Sequence, residues 1–312
     1  MTAQQRTRLV ERDASGLLFG LGAYGIWGVF PAFFPLLKPA GPGEILAHRV
    51  VWTLAFMAVL LLVMRRLGDL RGIDRRTWLL LACASVLIST NWLIYIYAVN
   101  SHRVVDAALG YYINPLVSVL IGVVLFRERL NRAQLLALLI ALAAVVLLVV
   151  GVGDNPLIAP PWIALGLAFS FGLYGAVKKV VRVEPRVSVT VETAIAAPFA
   201  VIYLVGLQIS GASQFTNHGP GHVALMLLCG PVTAVPLLFF AAAAQRLPLI
   251  TIGLLQYLTP SMQLTWGLLI GDEPMSATRW AGFALIWFAL AIFTTDGLLR
   301  TYRGRTGILQ AS

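Results

Sequence analysis

The sequence predicts an all-α integral membrane protein of ten transmembrane helices, arranged as two inverted five-helix repeats. Three observations predict this fold. Hydrophobic residues make up 59% of the 312 residues and charged residues 12%, so a soluble fold could not bury the apolar surface. Ten apolar stretches are each long enough to cross a bilayer, which takes about 20 residues. A motif also recurs 145 residues after its first appearance.

The recurring motif marks an internal duplication. Its two copies are Tyr112, Pro115, Gly122, Glu128 and Asn131, and then Tyr257, Pro260, Gly267, Glu273 and Ser276. A shorter match, Gly25-Ile-Trp-Gly28 with Gly172-Leu-Tyr-Gly175, follows at an offset of 147. Five spans per half is an odd number, so the halves must cross the membrane in opposite directions. That inverted arrangement is common among secondary transporters.

The predicted spans are separated by short connections, so we expect no soluble domain on either side. The first span is too long for the apolar core of a signal peptide, and we expect it to be retained. We divide the chain into a first repeat at 1–151 and a second at 152–312. The ten spans cover residues 16–37, 43–64, 77–98, 104–126, 132–151, 160–179, 188–208, 222–244, 248–270 and 279–298.

The basic residues predict the orientation of the chain. Most of the 23 lysines and arginines fall at alternate ends of the predicted spans, which the positive-inside rule assigns to the cytoplasm. Lys38, Arg103 and Arg279 fall in the opposite loops, and Arg49 lies inside a span. Both termini are therefore predicted to be cytoplasmic. The net charge of +10 comes from short, scattered clusters, so we do not predict nucleic-acid binding.

The second predicted span contains Glu44, His48 and Arg49. Ionisable groups in a membrane are costly and usually functional. In one interpretation Arg49 extends to the interface and pairs with Glu44. In the other, Arg49 faces a central cavity and binds an anionic group such as a carboxylate through its planar guanidinium, while His48 exchanges a proton. The sequence leaves both open.

Two further carboxylates, Asp106 and Glu192, are candidates for coupling transport to protons or cations. The alternative for Glu192 is an ion pair with a nearby loop residue such as Arg186. Asn91 and Tyr95 lie one turn apart in the third span, where an amide must face the bundle. They serve either to join helices or to contact substrate.

The repeat-matched prolines predict helix kinks at Pro115 and Pro260, because proline removes a backbone donor and frees a carbonyl one turn earlier. Kinked helices near the midplane are where transporters bind substrate. Plain packing kinks are the alternative. Asn131 and Ser276 are predicted helix N-caps, and Glu128 and Glu273 are predicted to complement the dipoles of those helix starts.

The candidates for lining a substrate cavity are aromatic, amide and basic side chains within the spans. They are Trp27, His48, Arg49, Asn91, Tyr95, Tyr112, Asn114, Gln256 and Tyr257. No metal-binding or cofactor-binding motif occurs, and His218 and His222 are separated by Gly and Pro, which prevent a helical metal site. We predict no metal, no cofactor and no catalytic residues.

Several stretches are similar to the RarD family, in the EamA-type branch of the drug/metabolite transporter superfamily. They are EILAHRVVW at 44–52, NW at 91–92, NSH at 100–102, DAALGYYINPL at 106–116, GLYGAVKK at 172–179, ET at 192–193, GPVTAVPLLFFAAAAQRLPL at 230–249 and QYLTP at 256–260. The chain departs from the family pattern at Asp106, where the pattern has Glu, so the carboxylate is one methylene shorter. The resemblance implies a ten-helix transporter of the bacterial inner membrane.

Together these observations predict a secondary transporter of a small organic metabolite or drug-like solute, working by alternating access with ion or exchange coupling. Its expected partners are that solute and membrane lipid, and the oligomeric state is left open. A non-transporting membrane scaffold or sensor would not explain buried charges in both halves. An intramembrane enzyme acting on lipids would need a nucleophile or metal set, and the sequence shows none.

Overall fold

A computed structural model of the chain is built from helices. It describes residues 3–127, 129–150, 161–181, 183–244, 246–247 and 255–310, and these contain no strand. The helices are α1 Ala3–Gly28, α2 Phe30–Phe33, α3 Pro42–Val63, α4 Arg75–Asn100, α5 Val104–Phe126, α6 Arg132–Val150, α7 Trp162–Val180, α8 Pro185–Ile209, α9 Gly219–Ala244, α10 Leu258–Leu269 and α11 Ala277–Gln310.

The helices make an integral membrane protein. Among the described residues, seven are long and apolar enough to cross a bilayer, and a bent pair, Ser15–Gly28 with Phe30–Leu37, would make an eighth. Their outward faces carry large apolar side chains, such as Val86, Ile202 and Phe288, each more than half exposed. A surface of that kind matches lipid and not water. Helix α6 has a shorter apolar stretch, 132–148, and part of the predicted span 248–270 lies outside the described residues.

The first predicted span is not one straight helix. It bends by 41° between Gly28 and Phe30. Pro31 lies at the start of α2, and Pro35 lies at the start of the single 3₁₀ turn Phe34–Leu37 that follows. Proline is tolerated in the first turn of a helix because the backbone N–H there has no intrahelical partner. A new helical segment therefore begins at each proline, and the chain changes direction between α1 and α2.

The two repeat-matched prolines occupy different places. Pro115 lies inside the continuous helix α5, as the predicted kink requires. Pro260 lies in the first turn of α10, after a turn at residues 256–257. Pro260 therefore lies near the start of a helix, where the missing N–H costs little, and the predicted kink within a helix at this position is wrong.

The main contacts between helices are matched in the two halves of the chain. Where two helices pack together, the helices at the equivalent positions of the repeat also pack together. Helix α5 packs against α7 as α10 packs against α1, and α4 packs against α7 as α9 packs against α1. Equivalent helices also pack directly, in the pairs α3 with α8, α5 with α10, and α6 with α11. Tyr112 stacks on its own repeat equivalent Tyr257, with ring centroids 6.4 Å apart.

Helix backbones approach closely where a glycine faces a neighbouring main chain. A Cβ at Gly230 in α9 would lie 2.3 Å from the carbonyl oxygen of Trp52 in α3, and one at Gly110 in α5 would lie 2.7 Å from that of Ala164 in α7. In a membrane, the hydrophobic effect does not drive helices together. Small residues at such crossings let the backbones come close enough for van der Waals packing to hold the helices together. The glycines therefore set the spacing around the centre of the bundle.

The residues near the helix ends make contacts at two opposite ends of the bundle. At one end, Arg103 before α5 and Arg279 in α11 both bind Asp106. We call this the Asp106 end. At the other, Arg186 in α8 donates to the sulfur of Met64 after α3. We call this the Lys178 end, after the residue described below.

Both predicted N-caps are confirmed. The Asn131 side chain accepts from the backbone N–H of Gln134 at 2.9 Å, and Ser276 accepts from that of Arg279 at 3.2 Å. Glu273, however, does not complement the start of its own helix. Its carboxylate accepts from the N–H groups of Val104 and Val105, at 2.5 and 2.8 Å, so it caps α5 from the other half of the chain. Glu128 lies outside the described residues.

Gly230→Ala should destabilise the protein by about 1–3 kcal/mol, because the added methyl group forces α9 away from the Trp52 backbone. Gly206→Ala in α8 is the matched control, since nothing lies within 4 Å of a Cβ there. Thermal unfolding of the detergent-purified variants measures both. Equal melting temperatures for the two variants would contradict the close approach of α3 and α9.

Glu273→Gln should lower the free energy of unfolding by about 1–3 kcal/mol, since an amide can accept from only one of the two N–H groups. Burial also raises the pKa of Glu273 above its usual value of 4.5. The folded protein then holds this proton more tightly than the unfolded chain, so stability falls as pH rises from 4.5 through the raised pKa. Glu273→Gln should remove this pH dependence of stability. Asp272→Asn, a substitution at the exposed neighbouring residue, is the control and should keep it. Thermal unfolding at a series of pH values measures both. An unchanged slope in Glu273→Gln would contradict this assignment.

Candidate substrate site

Arg49 lies in the centre of the bundle, with 3% of its surface exposed. Its Nε donates to the hydroxyl of Thr233 in α9 at 2.7 Å. Its guanidinium carbon lies 4.1 Å from the ring centroid of Trp92 and 5.5 Å from those of Phe30 and Phe34. Nη1 is buried and has no hydrogen-bond partner among the described residues. A charged donor thus points into an aromatic enclosure.

Arg49 does not pair with Glu44. Glu44 accepts instead from the Ser213 hydroxyl at 3.1 Å and from the backbone N–H of Gln214 at 2.8 Å, both in the connection between α8 and α9. Residues five apart on an α-helix point about 140° away from one another, which separates the two side chains. The interfacial ion pair considered from the sequence is therefore wrong.

His48 faces a different neighbour from Arg49. Its Nδ1 accepts from the indole N–H of Trp52 at 3.1 Å, and its ring stacks on Phe215 at 4.5 Å. It is buried beside the α8–α9 connection. The structure therefore does not bring His48 and Arg49 to a common group, although they are adjacent in sequence.

Asn91 joins α4 to α7 and α5. Its amide nitrogen donates to the carbonyl of Leu167 at 3.1 Å and to the Ser170 hydroxyl at 3.0 Å, and its oxygen accepts from Tyr111 at 3.4 Å. These bonds use both ends of the amide. Asn91 is therefore placed as a link between helices, one of the two roles considered from the sequence.

Tyr95 and Trp27 are joined through Gln263. The Gln263 amide nitrogen donates to the Tyr95 hydroxyl at 2.9 Å and to the carbonyl of Trp27 at 3.2 Å. The Tyr95 ring also contacts Phe30, Phe34 and Tyr111. Trp27, Tyr95 and Arg49 therefore border one aromatic region that includes helices from both halves of the chain.

Glu192 in α8 forms the second buried charged group. Its carboxylate binds Lys178 of α7 at 2.6 Å, the Ser188 hydroxyl at 2.6 Å and the Tyr174 hydroxyl at 3.1 Å. Lys178 also donates to Ser188. The pairing with Arg186 considered from the sequence is wrong, because Arg186 binds Glu184 at the surface. Lys178, in the last turn of α7, supplies the base instead.

A narrow cavity of about 10 Å³ is bordered by Glu192 itself and by neighbours of Arg49. That volume is about the space of one water molecule. Trp92, which stacks on Arg49, and Val50, next to Arg49 in α3, lie in its wall, and so do Tyr174 and Glu192. Its remaining polar lining is Ser85, Ser89 and Thr193. The described side chains therefore leave little free space beside Trp92 and Glu192.

The remaining cavity candidates lie elsewhere in the bundle. Tyr112 shares a hydrogen bond with Ser261 at 2.7 Å and stacks on Tyr257. Asn114 is buried near Gly172, and its side-chain oxygen has no hydrogen-bond partner among the described residues. Gln256 is half-buried in the turn before α10. Asp106 is held between Arg103 at 3.0 Å and Arg279 at 2.6 Å. The structure does not bring these residues to the Arg49 region.

Sequence reasoning missed Trp92, Thr233 and Lys178. Trp92 and Thr233 reach Arg49 from helices distant in sequence, and no spacing rule links them. Lys178 had a local signal: it lies one turn after Tyr174, while Ser188 and Glu192 lie one turn apart in α8. These two spacings place the four side chains on facing turns of α7 and α8.

The charge on Arg49 is only partly offset. Burying a guanidinium costs several kcal/mol even after relaxation, whereas an aromatic ring returns about 2 kcal/mol when desolvated. None of the described carboxylates forms an ion pair with Arg49, although Asp106, Glu184 and Glu192 each pair with another base. The site therefore retains capacity to bind an anion.

Comparison with known proteins gives the family. Residues 14–150 match the EamA-like transporter family. Protein RarD of Streptomyces exfoliatus is 48% identical over 97% of this chain and 95% of its own length, and Protein RarD of Escherichia coli K12 is 40% identical over 92% and 96%. The Uncharacterized transporter YojE of Bacillus subtilis is 42% identical over 89% and 93%.

A solved crystal structure shares the fold. It superposes with a TM-score of 0.57 at 20% identity, covering 89% of this chain and 96% of its own. The full-length identities to the relatives above, and not this structural likeness, decide the family. With identity of that level over nearly all of its length, the chain belongs to the RarD family of EamA-like transporters, within the drug/metabolite transporter superfamily.

Proposed function

We propose that the protein is a secondary transporter that moves a small organic solute across the bacterial inner membrane by alternating access. The observation that carries the proposal is the pair of buried charged groups, Arg49 and Glu192, with a small cavity lined by Glu192 and by Trp92, the neighbour of Arg49. Ionisable groups inside a membrane usually mark a solute or ion pathway. The names of relatives such as YojE, an uncharacterized transporter, support the same class.

The proposed architecture is ten spans in two inverted repeats, at 1–151 and 152–312. Two observations support it. The main helix contacts keep their pattern when the halves are exchanged. Tyr112 and Tyr257, which are equivalent in the sequence repeat, stack on each other, as residues near a two-fold axis do.

The proposed orientation has both termini in the cytoplasm. Loop residues assigned by the sequence to one side meet in the structure, as Arg103 and Arg279 do at Asp106. The Lys178 end carries most of the basic residues, so it is the cytoplasmic end by the positive-inside rule. Asp106 then lies at the periplasmic end.

The solute is proposed to bind beside Arg49 and Trp92, in the region bordered by Trp27 and Tyr95. The cavity that Trp92 lines holds about 10 Å³, which is too little for an organic molecule, so we assign the described conformation to a closed state. Opening towards either end must separate helices of the two halves. Such rocking of one half against the other is the usual form of alternating access.

Coupling to protons is proposed to use Glu192. Its carboxylate borders the cavity and holds Lys178, so a proton or the solute can compete for either partner. Asp106 was the other candidate from the sequence. It is bound on both sides by arginines at the Asp106 end, whereas Glu192 lines a cavity, so the geometry favours Glu192.

A labelling experiment tests the orientation. In a background lacking Cys83 and Cys229, single cysteines replace Gly68, between α3 and α4, or Asn217, between α8 and α9, both exposed. A membrane-impermeant thiol reagent should label Asn217→Cys in intact cells and label Gly68→Cys only after the cells are opened. Labelling of both, or of Gly68→Cys alone, in intact cells would contradict the proposed topology.

A flux experiment tests the function. Sealed proteoliposomes containing the full chain should accumulate a solute from a panel of organic acids, amino acids, nucleosides, sugars and amphipathic drugs. Glu192→Gln should abolish accumulation driven by a pH gradient while leaving solute binding intact. Glu184→Gln removes a surface carboxylate paired with Arg186 and serves as the matched control. No flux of any solute would overturn the transport proposal, and unchanged pH dependence in Glu192→Gln would remove Glu192 from the coupling role.

A further inference from the structure

The charges buried in the structure do not balance at Arg49. The described carboxylates that are buried are Glu44, Asp106, Glu192 and Glu273. Asp106 and Glu192 pair with other bases, Glu44 is held by Ser213 and Gln214, and Glu273 is held by backbone N–H groups. Each has donors of its own, so none of them neutralises Arg49.

The surroundings of Arg49 hold the guanidinium in place without neutralising it. Thr233 fixes Nε, and the rings of Trp92, Phe30 and Phe34 surround the group. A neutral hydroxyl and aromatic faces orient a cation, but they supply no counter-charge. Nη1 remains a buried donor with no described partner. An arginine kept only to join helices would be expected to use all of its donors.

We infer that the solute is an organic anion whose acidic group binds Nη1 of Arg49 and whose apolar part lies against Trp92. This inference rests on the proposed transport function and adds the chemical class of the substrate. A carboxylate, sulfonate or phosphate oxygen supplies both the missing acceptor and the missing charge. Trp92 contacts Arg49 and also lines the cavity, so one molecule can reach both.

The anion is a soluble molecule and not a lipid headgroup. Arg49 is 3% exposed and is enclosed by rings from α2, the 3₁₀ turn after it and α4. A phospholipid in the surrounding bilayer would have to pass these helices to bring its phosphate to Nη1. A solute that enters through an opened end of the bundle would not.

Matched probes test the charge requirement. The full chain, purified in a neutral detergent, is heated with benzoate, benzenesulfonate or phenyl phosphate, and with the neutral analogues benzamide and benzyl alcohol, at constant ionic strength. At least one anionic probe should raise the melting temperature in a concentration-dependent way, and its neutral analogues should not. An equal shift with benzamide, or no shift with any anionic probe, would overturn the inference.

Variants at Arg49 test the location. Arg49→Met removes the charge at similar length and should abolish the benzoate response, while the ligand-free melting temperature stays equal to the wild type or rises, because no unpaired charge remains buried. Arg49→Lys keeps the charge without the planar fork and should weaken the response at least tenfold. A wild-type response in Arg49→Met would overturn the inference.

Two further variants keep the test decisive if Arg49→Met fails to fold. Thr233→Val removes the hydroxyl that holds Nε and should weaken the benzoate response several-fold without changing the preference for anions over benzamide. Arg246→Met is the matched control, since Arg246 also lies over a ring, 5.1 Å from the centroid of Phe19, and donates to a helix carbonyl. It should respond as the wild type does. A loss in Arg246→Met equal to that in Thr233→Val would overturn the assignment to Arg49.

The lipid source and the transport function are tested separately. Phosphatidylglycerol added to the detergent should not compete with benzoate, and full competition would assign the site to lipid and overturn the inference. In proteoliposomes, flux of a neutral solute that Arg49→Met does not slow would overturn the substrate class while transport stands. Absence of any flux would overturn the proposed function, whereas the thermal-shift result would still decide whether Arg49 binds anions.

Discussion

The burial of Arg49 without a carboxylate is the constraint on which the centre of the bundle depends. An unpaired guanidinium cannot remain in an apolar interior unless every neighbour lowers its cost. Thr233 from α9, Trp92 from α4 and Phe30 from α2 all meet at this one side chain. These helices belong to both halves of the chain, so the position of a single charge fixes how the halves close on each other.

Glu192, the second buried charge, is stabilised in a different way from Arg49. Glu192 is matched by Lys178 and by two hydroxyl groups, so its charge is compensated within the protein. Glu192 therefore has a counter-charge, whereas Arg49 has none among the described residues. A cavity is bordered by Glu192 and by Trp92, which stacks on Arg49. Under the proposed function, this shared cavity is the physical basis for coupling solute binding at Arg49 to a proton at Glu192.

Contacts at the Asp106 end hold the two halves of the chain together. Glu273 caps α5, and Arg279 reaches Asp106 within α5. Both links run from the segment around the start of α11 to the start of α5. Under the proposed alternating access, opening at this end breaks these charge-assisted bonds, each stronger than a neutral one. At the Lys178 end, the halves are linked through Arg186 and Met64 and through Asn131 and Asp296.

Several features of the protein follow from its amino-acid pattern: that it is a membrane protein, that its apolar stretches form helices, that Asn131 and Ser276 cap α6 and α11, and that certain polar residues within the spans need an explanation. Composition, apolar length and local caps decide these features, and each acts over a few residues. The interaction partners, in contrast, depend on the three-dimensional fold: Lys178 and not Arg186 for Glu192, aromatic rings and not Glu44 for Arg49, and α5 as the helix that Glu273 caps. Those choices depend on helices distant in sequence and on the direction in which each side chain leaves its helix, which periodicity alone does not specify.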